Sequence, residues 1–515
     1  MANAAMDPFT SLYRCQIGGA DIISYSYTDM PWKLLGWDIY YFFVYSWALP
    51  WVLWPPFTYG SGELDELYPT FQNIFCVFMH LVLAILQLAF IIALPLTVFL
   101  PVWMAAGGIG AFLLGNWLLC KLLNGTGREF SSDDVFAAQL PEHAHEQWVF
   151  VNGVAVGRHW FKSNLNRLAL TFKRPVLGIH NQTRGILFDV FECLLQRNFS
   201  YATADVRITY RLLKNILYDP GKSKVVLILH SQGGIEGGLV LDWLLQELPQ
   251  DLLSKLEVYT FGCAANHFNN PHRHAFAQNL MKEHPRFAIH TLLTETSFAS
   301  EPVVDGQRDI DAKAPAQDRT PSRENSLSSS RTMSVSKDRA IGHIEHYAHS
   351  TDFVAIWGVL HFATNRTNSP QIPRFLGRLF VQSTGGGGHQ LNQHYLDGMF
   401  PLKRNAKGEF IGVEEENNEF MNEVVRLGEE GAAMKNIREA FDITYAGTDG
   451  FGTGESSEPV EVHGMEHRKR GIVKRKEVRV KDLSRLWLYR DGKRPKDELP
   501  PTLVGEYGVA RNATM

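Results

Sequence analysis

A serine followed by glutamine and two glycines ends an aliphatic run in this chain. Residues 225–234 read VVLILHSQGG, and the apolar spacing that follows predicts a helix. A sharp strand-to-helix turn pushes such a serine out of a sheet, where a base and backbone N–H donors can reach its hydroxyl. Ser231 is therefore a candidate nucleophile, and His230 beside it a candidate for the substrate pocket.

One residue does not fit the usual form of this turn. Small residues are expected two places before and two places after the serine, because the backbones crowd there. Gly233 meets the second requirement, but Leu229 fails the first. We therefore expect an opened turn or a small residue opposite Leu229 on a neighbouring strand, with a plain strand-to-helix turn as the alternative.

A serine nucleophile also needs a base and an acid that orients it, here in the chain order Ser, Asp, His. Asp352 follows a strand-like run, although an aspartate there could equally cap the helix predicted at FVAIWGVL. His389 stands after four glycines, and His394 follows it closely. The sequence favours His389 as the base, because a glycine loop is flexible, and leaves His394 as the alternative.

Backbone N–H donors are needed to stabilise the oxyanion that forms when a serine attacks a carbonyl. Gln232 follows the nucleophile and supplies one donor, and the loop after VFVNG supplies the second from Gly153 or Val154. The run GIHNQTRG ends another strand-like segment at the same edge, so Asn181 and Thr183 are further pocket candidates.

The runs that carry these residues alternate with helical patterns. Six of them read as buried strands: QWVFVNG (147–153), PVLGIH (175–180), KVVLILH (224–230), LEVYTFG (256–262), HIEHYAH (343–349) and GRLFVQ (377–382). Strands separated by helices predict an α/β fold with a mostly parallel sheet covered by helices.

Three short motifs resemble one known family. HSQGG, VYTFG and the H-x-x-D-x-V pattern at residues 349–354 are similar to the α/β-hydrolase superfamily, above all its class 3 lipases. The whole chain resembles fungal membrane-anchored α/β-hydrolase-like proteins, and the motifs cover about residues 145–402. The resemblance implies an α/β-hydrolase fold, Ser231 as nucleophile and Asp352 as acid. Leu229, Phe353 in place of the lipases' frequent proline, and an insert at 300–338 depart from the pattern.

An apolar stretch precedes this region. From Leu67 to Cys120 the chain has no Asp, Glu, Lys or Arg, and about 20 apolar residues suffice to cross a bilayer. We expect a transmembrane helical hairpin over 67–123, with helices at about 75–98 and 102–122; one long tilted helix or a buried hairpin is the alternative. Residues 1–66, rich in Trp and Tyr, are expected to form an interfacial segment.

The rest of the chain divides by composition. Residues 124–402 form the expected hydrolase domain, interrupted by the Ser- and Arg-rich insert, which is expected to be disordered. Ser326 and Ser334 there have the R-x-x-S spacing that basophilic kinases favour, which suggests an integral protein of an intracellular membrane with its hydrolase domain facing the cytosol. Residues 403–515 are expected to be a largely flexible tail with a basic run at 467–481.

Composition narrows the function further. The net charge of −4 gives no reason to expect nucleic acid as a partner, and the five cysteines are scattered without metal-ligand spacing. We therefore expect no metal or organic cofactor, and the bilayer and a lipid ester as partners. The expected function is a membrane-anchored serine hydrolase that cleaves a lipid ester. A thioesterase or acyltransferase with the same triad, or an inactive membrane-bound scaffold, is the alternative.

Overall fold

A computed structural model describes most of the chain. The described residues are 30–56, 58, 60–271, 273, 339–364, 375–382, 387–416, 418–423 and 479–495, with the backbone alone of 10–13, 425–427, 461–462 and 476–477. The predicted insert at 300–338, with Ser326 and Ser334, lies outside the described residues, as does most of the basic run.

Within the described residues the strands form one large sheet and two small ones. The strands are β1 Thr10–Tyr13, β2 Glu129–Ser131, β3 Glu146–Val151, β4 Val176–Ile179, β5 Lys224–His230, β6 Leu256–Phe261, β7 His343–His349, β8 Arg378–Gln382, β9 Leu402–Arg404, β10 Phe410–Val413, β11 Val425–Leu427, β12 Glu461–Val462 and β13 Lys476–Glu477. The large sheet has the order β11-β1-β8-β7-β6-β5-β3-β4-β2. Its central strands β4, β3, β5, β6, β7 and β8 are parallel. These are the six predicted strands, so the mostly parallel α/β sheet is confirmed.

Helices cover both faces of this sheet. They are α1 Pro31–Val44, α2 Phe71–Ala93, α3 Val102–Asn124, α4 Arg158–Phe172, α5 Ile186–Phe199, α6 Ala204–Tyr218, α7 Gly233–Glu247, α8 Gln250–Leu253, α9 Phe353–Ala355, α10 His361–Thr364, α11 Asp397–Met399, α12 Glu419–Asn422 and α13 Val480–Leu483, with π-helical turns at Ile356–Leu360 and Leu391–Leu396. Side chains of a strand alternate between its two faces. Ile228 therefore packs in the layer of α4, and Leu227 in the layer of α5 to α7.

The apolar stretch forms a helical hairpin. The α2 and α3 helices are joined by a 3₁₀ helix, Leu94–Phe99, and both are long and apolar enough to cross a membrane. The α2 helix begins at Phe71, before the expected boundary, because the Thr70 hydroxyl accepts a hydrogen bond from the Asn73 N–H at 3.2 Å. One face of α2 packs on the α/β domain, where Asn73, His80 and Gln87 are buried.

The prediction of an interfacial segment over residues 1–66 is only partly right. Strand β1 belongs to the sheet, between β8 and β11. Asp38 of α1 forms an ion pair with Arg197 at 2.9 Å, and the buried Glu66 carboxylate accepts the N–H groups of Asn392 and Gln393. Asp38 stands among aromatic residues and Glu66 beside other acids, so neither stretch indicated a long-range partner. Several α1 rings nevertheless face outward: Trp32, Trp37, Tyr40 and Phe43.

The prediction of a largely flexible tail over residues 403–515 is wrong for 403–416 and 418–423, which form β9, β10 and α12, and for 479–495. Val480, Leu486 and Tyr489 are buried in the core layer that contains Trp148. The Arg174 guanidinium donates to the carbonyl of Tyr489 at 3.2 Å, which fixes this segment to the sheet. The segment mixes apolar with charged residues, and its apolar side chains pack against a part of the chain that is distant in sequence.

Candidate active site

Ser231 occupies the turn between β5 and α7. Its backbone φ is +58°, a left-handed conformation that costs a residue other than glycine of order 1–3 kcal/mol. The turn is held from both sides: the Ser231 N–H donates to the Phe261 carbonyl at 3.0 Å, and the Ser231 carbonyl accepts from the Ala264 N–H at 3.1 Å. The sequence-predicted sharp turn is therefore present, with the serine at its strained position.

The helix side of the turn accommodates Leu229. A Cβ atom on Gly237 of α7 would overlap the Leu229 side chain, and a Cβ on Gly233 would lie 2.5 Å from the Val151 carbonyl oxygen. The small residue that Leu229 requires therefore lies one turn into the following helix. The expectation of an opened turn or a small residue on a neighbouring strand was wrong, since Leu229 pairs with Val151 and Thr260 there.

Asp352 makes the contacts that both of the alternatives left by the sequence require. Its Oδ1 caps a helix by accepting the Val354 N–H at 2.8 Å. Its Oδ2 accepts from His389 Nδ1 at 2.9 Å and from the Tyr395 hydroxyl at 2.7 Å. Burial alone would raise the pKa of Asp352, but the His389 ring and these hydrogen bonds hold it below its usual value. The carboxyl is therefore ionised at neutral pH and fixes the His389 ring.

The two candidate histidines have different environments. His389 donates a hydrogen bond from Nδ1 to Asp352, and its Nε2 has no hydrogen-bond partner among the described residues. His394 uses both nitrogens: Nδ1 accepts the Gln390 N–H and Nε2 donates to the Pro55 carbonyl, each at 2.9 Å. Burial lowers the pKa of His394 to about 4. His389 thus leaves Nε2 unused in the described structure, whereas His394 uses both nitrogens to hold the loop.

The loop segment before His389 is anchored by its neighbours. The His349 Nδ1 donates to the Gly388 carbonyl at 2.9 Å, and the Thr351 hydroxyl donates to the Gly387 carbonyl at 2.6 Å. His230, predicted for the substrate pocket, instead donates from Nε2 to the His389 carbonyl at 2.8 Å. Its ring stacks on the His389 ring with centroids 4.7 Å apart. Burial, with the nearby His389, lowers the pKa of His230 to about 3, so His230 is a neutral support for His389.

Two adjacent residues, Phe261 and Gly262, contact all three candidate residues: Phe261 binds Ser231, and Gly262 lies against Asp352 and His389. Gly262 has a φ of +53°, and a Cβ on it would lie 2.7 Å from Asp352 Oδ2 and 2.9 Å from His389 Nδ1. The carbonyl of Phe261, the residue before Gly262, accepts the Ser231 N–H. Within the described structure, however, Ser231 Oγ and His389 Nε2 form no hydrogen bond with each other. Such contacts are often long in the absence of substrate and tighten when it binds.

The predicted oxyanion donors lie beside the serine. A Cβ on Gly153 would lie 2.7 Å from Ser231 Oγ, so the Gly153 backbone borders the hydroxyl. In the described part of the chain, the N–H groups of Gly153, Val154 and Gln232 donate no hydrogen bond to another residue. These three amides are therefore available to a bound oxyanion.

The two pocket candidates after β4 support this loop. Asn181 donates from Nδ2 to the Gln232 side chain at 2.8 Å, and its backbone N–H donates to Asn152 Oδ1 at 2.9 Å. Asn152 in turn donates to the Gly153 carbonyl at 2.9 Å. Asn181 therefore connects the 152–153 loop with Gln232. Thr183 is also buried, and its hydroxyl donates to Asp189 at 2.6 Å.

A cavity of about 880 Å³ opens between α3 and α5. Thr183 belongs to its lining, but Ser231 and His389 do not. Apolar side chains such as Trp117 and Phe188 line one part, and the charged Lys121, Arg128, Arg184, Glu192 and Asp205 line another. Burial raises the pKa of Glu192 to about 7, against the opposing effect of Arg184. The cavity thus has both the apolar and the polar surface that an amphipathic molecule requires.

Sequence reasoning missed several residues of this site. The positions of Tyr395 and Gly237 depend on long-range packing, and no local pattern distinguishes them. Gly262 was visible as the glycine that ends the VYTFG run. In comparisons with known proteins, no family model and no curated protein matches this chain.

Proposed function

We propose that this chain is a membrane-anchored serine hydrolase of the α/β-hydrolase fold that cleaves a lipid ester. The observation that carries the proposal is the backbone strain at Ser231 beside the His389–Asp352 pair. The parallel sheet, the turn between β5 and α7 and the chain order Ser, Asp, His favour this fold over other doubly wound sheets.

The arrangement supports acyl transfer in two steps. Asp352 accepts the Nδ1–H of His389, so the lone pair of Nε2 takes the proton of Ser231 as Oγ attacks the ester carbonyl. The N–H of Gln232 and the N–H groups of Gly153 and Val154 stabilise the oxyanion. His389 then gives its proton to the leaving alcohol. Water, activated by the same histidine, releases the acid and restores the serine.

A lipid substrate is favoured by the position of the hairpin. Asn124, the last residue of α3, donates from Nδ2 to the Thr183 carbonyl at 2.7 Å. The loop that holds Thr183 also holds Asn181, which supports Gln232 beside the nucleophile. The apolar hairpin therefore ends within one loop of Ser231, and the amphipathic cavity is lined by that end of α3 and by Thr183.

Fluorophosphonate labelling of the full chain in detergent tests the serine directly, because the probe reacts only with an activated hydroxyl. We expect labelling of the wild type, none of Ser231→Ala and normal labelling of the control Ser223→Ala. Ser223 lies just before the amino end of β5 and Ser231 just after its carboxyl end, so the control removes one hydroxyl at the opposite end of the same strand.

Labelling that survives in Ser231→Ala would assign the activity to another residue. A folded wild type that is never labelled would favour the inactive scaffold, an alternative supported by the missing Ser231–His389 hydrogen bond. If Ser231 is labelled, products from ester lipids, thioesters and acyl acceptors distinguish hydrolysis from acyl transfer.

The cytosolic orientation of the domain is part of the same proposal and rests on the kinase-type spacing at Ser326 and Ser334. Protease treatment of sealed microsomes tests it. We expect the domain to be digested without detergent, and protection of the domain would place it in the lumen.

A further inference from the structure

Both arms of the hairpin donate a hydrogen bond to the same backbone carbonyl of the domain, that of Arg184. The Gln87 Nε2 of α2 donates to the Arg184 carbonyl at 2.7 Å, and the Asn116 Nδ2 of α3 donates to the same carbonyl at 3.0 Å. Gln87 also donates to the Asn116 side chain at 2.9 Å. These buried amides fix the level at which the hairpin leaves the α/β domain.

A stack of aromatic rings marks the last contact beyond that point. Phe90 and Phe112 stack with centroids 4.0 Å apart, and both meet Phe188 of α5 edge-on at 6.3 and 6.2 Å. From there to the apex, the described hairpin residues are mostly exposed. The two arms therefore project freely from the domain.

An ion pair whose arginine is exposed and whose glutamate is largely buried lies at the attachment point. The Arg184 guanidinium lies 3.1 Å from the Glu192 carboxylate, and the Arg184 side chain is 65% exposed. Placing such a pair in hydrocarbon is costly. The hydrocarbon therefore begins on the apex side of Gln87 and Asn116.

The free part of each arm is too short to cross a bilayer. From Val102 to Gly115 the α3 arm has about 14 residues, or about 21 Å at 1.5 Å per residue. The α2 arm from Leu88 through the 3₁₀ helix at 94–99 reaches a similar length, roughly 20 Å. The hydrocarbon core of a bilayer is about 30 Å thick, and one leaflet about half of that.

The apex suits hydrocarbon better than water. Residues 94–103 read LPLTVFLPVW, with no charge, and Val98, Phe99 and Val102 are 77%, 83% and 85% exposed. The one hydroxyl, that of Thr97, donates to the Leu94 carbonyl at 2.7 Å. The two prolines have no N–H that would need a partner in lipid. A loop that emerged into water on the far side would expose these side chains at a cost.

We infer that the hairpin enters one leaflet only, with its apex near the bilayer midplane and the α/β domain at the surface of that leaflet. The helices are long enough to span a bilayer, as the sequence predicted. The α/β domain, however, packs against the part of each helix that lies farther from the apex. The outward rings of α1, such as Trp32 and Trp37, give a second contact with the same surface. This inference is independent of the proposed enzymatic activity.

Cysteine accessibility in vesicles tests this inference. The full chain with Val98→Cys, at the apex, is added to preformed phosphatidylcholine vesicles and treated with a membrane-impermeant maleimide. The matched control is Val135→Cys, an 89% exposed valine on the domain; labelling of the wild type gives the background. We expect the control to react from outside, and Val98→Cys to react from neither side until detergent is added.

A bimane on Val98→Cys should be quenched more by lipids brominated near the chain end than near the headgroup.

Two other results would overturn the inference. Labelling of Val98→Cys only by reagent enclosed in the vesicles would show two complete spans. Labelling from outside, as for Val135→Cys, with no bromine quenching would show that the apex does not enter the membrane.

Discussion

The two ends of the parallel strands carry very different buried polar clusters. At the amino ends of β6 and β7, Glu257 and Glu345 are buried with every acceptor site in use. Glu257 accepts from Lys224, Arg485, Tyr259 and Tyr489, all between 2.6 and 2.8 Å. Glu345 accepts from His343, the Tyr347 hydroxyl and the N–H groups of Arg485 and Leu486.

At the carboxyl ends of the same strands the polar groups are incompletely satisfied. The Ser231 backbone is strained, and the N–H groups of Gly153 and Gln232 and the His389 Nε2 have no partner in the described structure. A buried cluster with complete hydrogen bonding stabilises a fold, whereas unused donors and strain are typical of functional sites. Under the proposed function, the amino ends of the strands are structural and the carboxyl ends carry the chemistry.

The largest expected effect distinguishes the two histidines at the carboxyl end. His389→Gln should slow fluorophosphonate labelling by about 10³-fold or more, since it removes the base of the triad. His394→Gln should lower the free energy of unfolding by about 1–3 kcal/mol, because two buried backbone groups lose their partner. Its folded fraction should still be labelled at the wild-type rate. The reverse pattern, measured by labelling kinetics and urea unfolding, would make His394 the base.

The amino-end cluster should show the opposite behaviour. Arg485→Met removes the guanidinium that lies 2.8 Å from Glu257 and should lower the free energy of unfolding by about 3 kcal/mol. Labelling of the folded protein should not change, since Arg485 is far from Ser231 along the strands. Arg485→Lys, which keeps the charge, is the control and should lose less stability. Reduced labelling with unchanged stability would break the proposed division between the two ends.

The sequence predicted one of these ends well and not the other. The parallel strands and Ser231 follow from local patterns: aliphatic runs, turn glycines and a motif whose parts are adjacent. The amino-end cluster combines Glu257 with Arg485 and Tyr489, which are distant in sequence and lie in a segment that mixes apolar with charged residues. Charge pairing of this kind leaves no periodic signal, and the segment was therefore interpreted as a tail.

Within the site, the same distinction separates what was found from what was missed. Candidate residues came from their chemistry and chain order, but the choice between His389 and His394 depended on which nitrogens the fold occupies. The accommodation of Leu229 by Gly237 depended on packing between a helix and a strand. Neither result follows from local sequence, because each is a contact between elements.

A methyl group on the oxyanion loop gives a smaller, local effect at the carboxyl end. In Gly153→Ala the new Cβ would fall 2.7 Å from Ser231 Oγ, so the loop or the serine must move. We expect labelling to slow by about 10²-fold, the loss that follows removal of one oxyanion donor. Gly398→Ala is the control, because no atom lies within 4 Å of its added Cβ. Equal labelling of both variants would show that the 153–154 loop does not contact the reacting centre.

The smallest expected effect concerns pH and the amino-end cluster. Burial alone would raise the pKa of Glu257, but Arg485 and Lys224 hold it well below its usual value; burial acts likewise on Glu345, and His343 and Arg378 lower its pKa. A carboxyl with a lowered native pKa adds stability above its unfolded pKa, near 4.3, and loses it as pH falls through the native value. The melting temperature should therefore fall below about pH 4.3. In Glu345→Gln it should be lower at pH 7, and its difference from the wild type should shrink on acidification. A constant difference from pH 7 to pH 3, measured by thermal unfolding, would show that Glu345 is not ionised in the fold and that charge does not hold this end together.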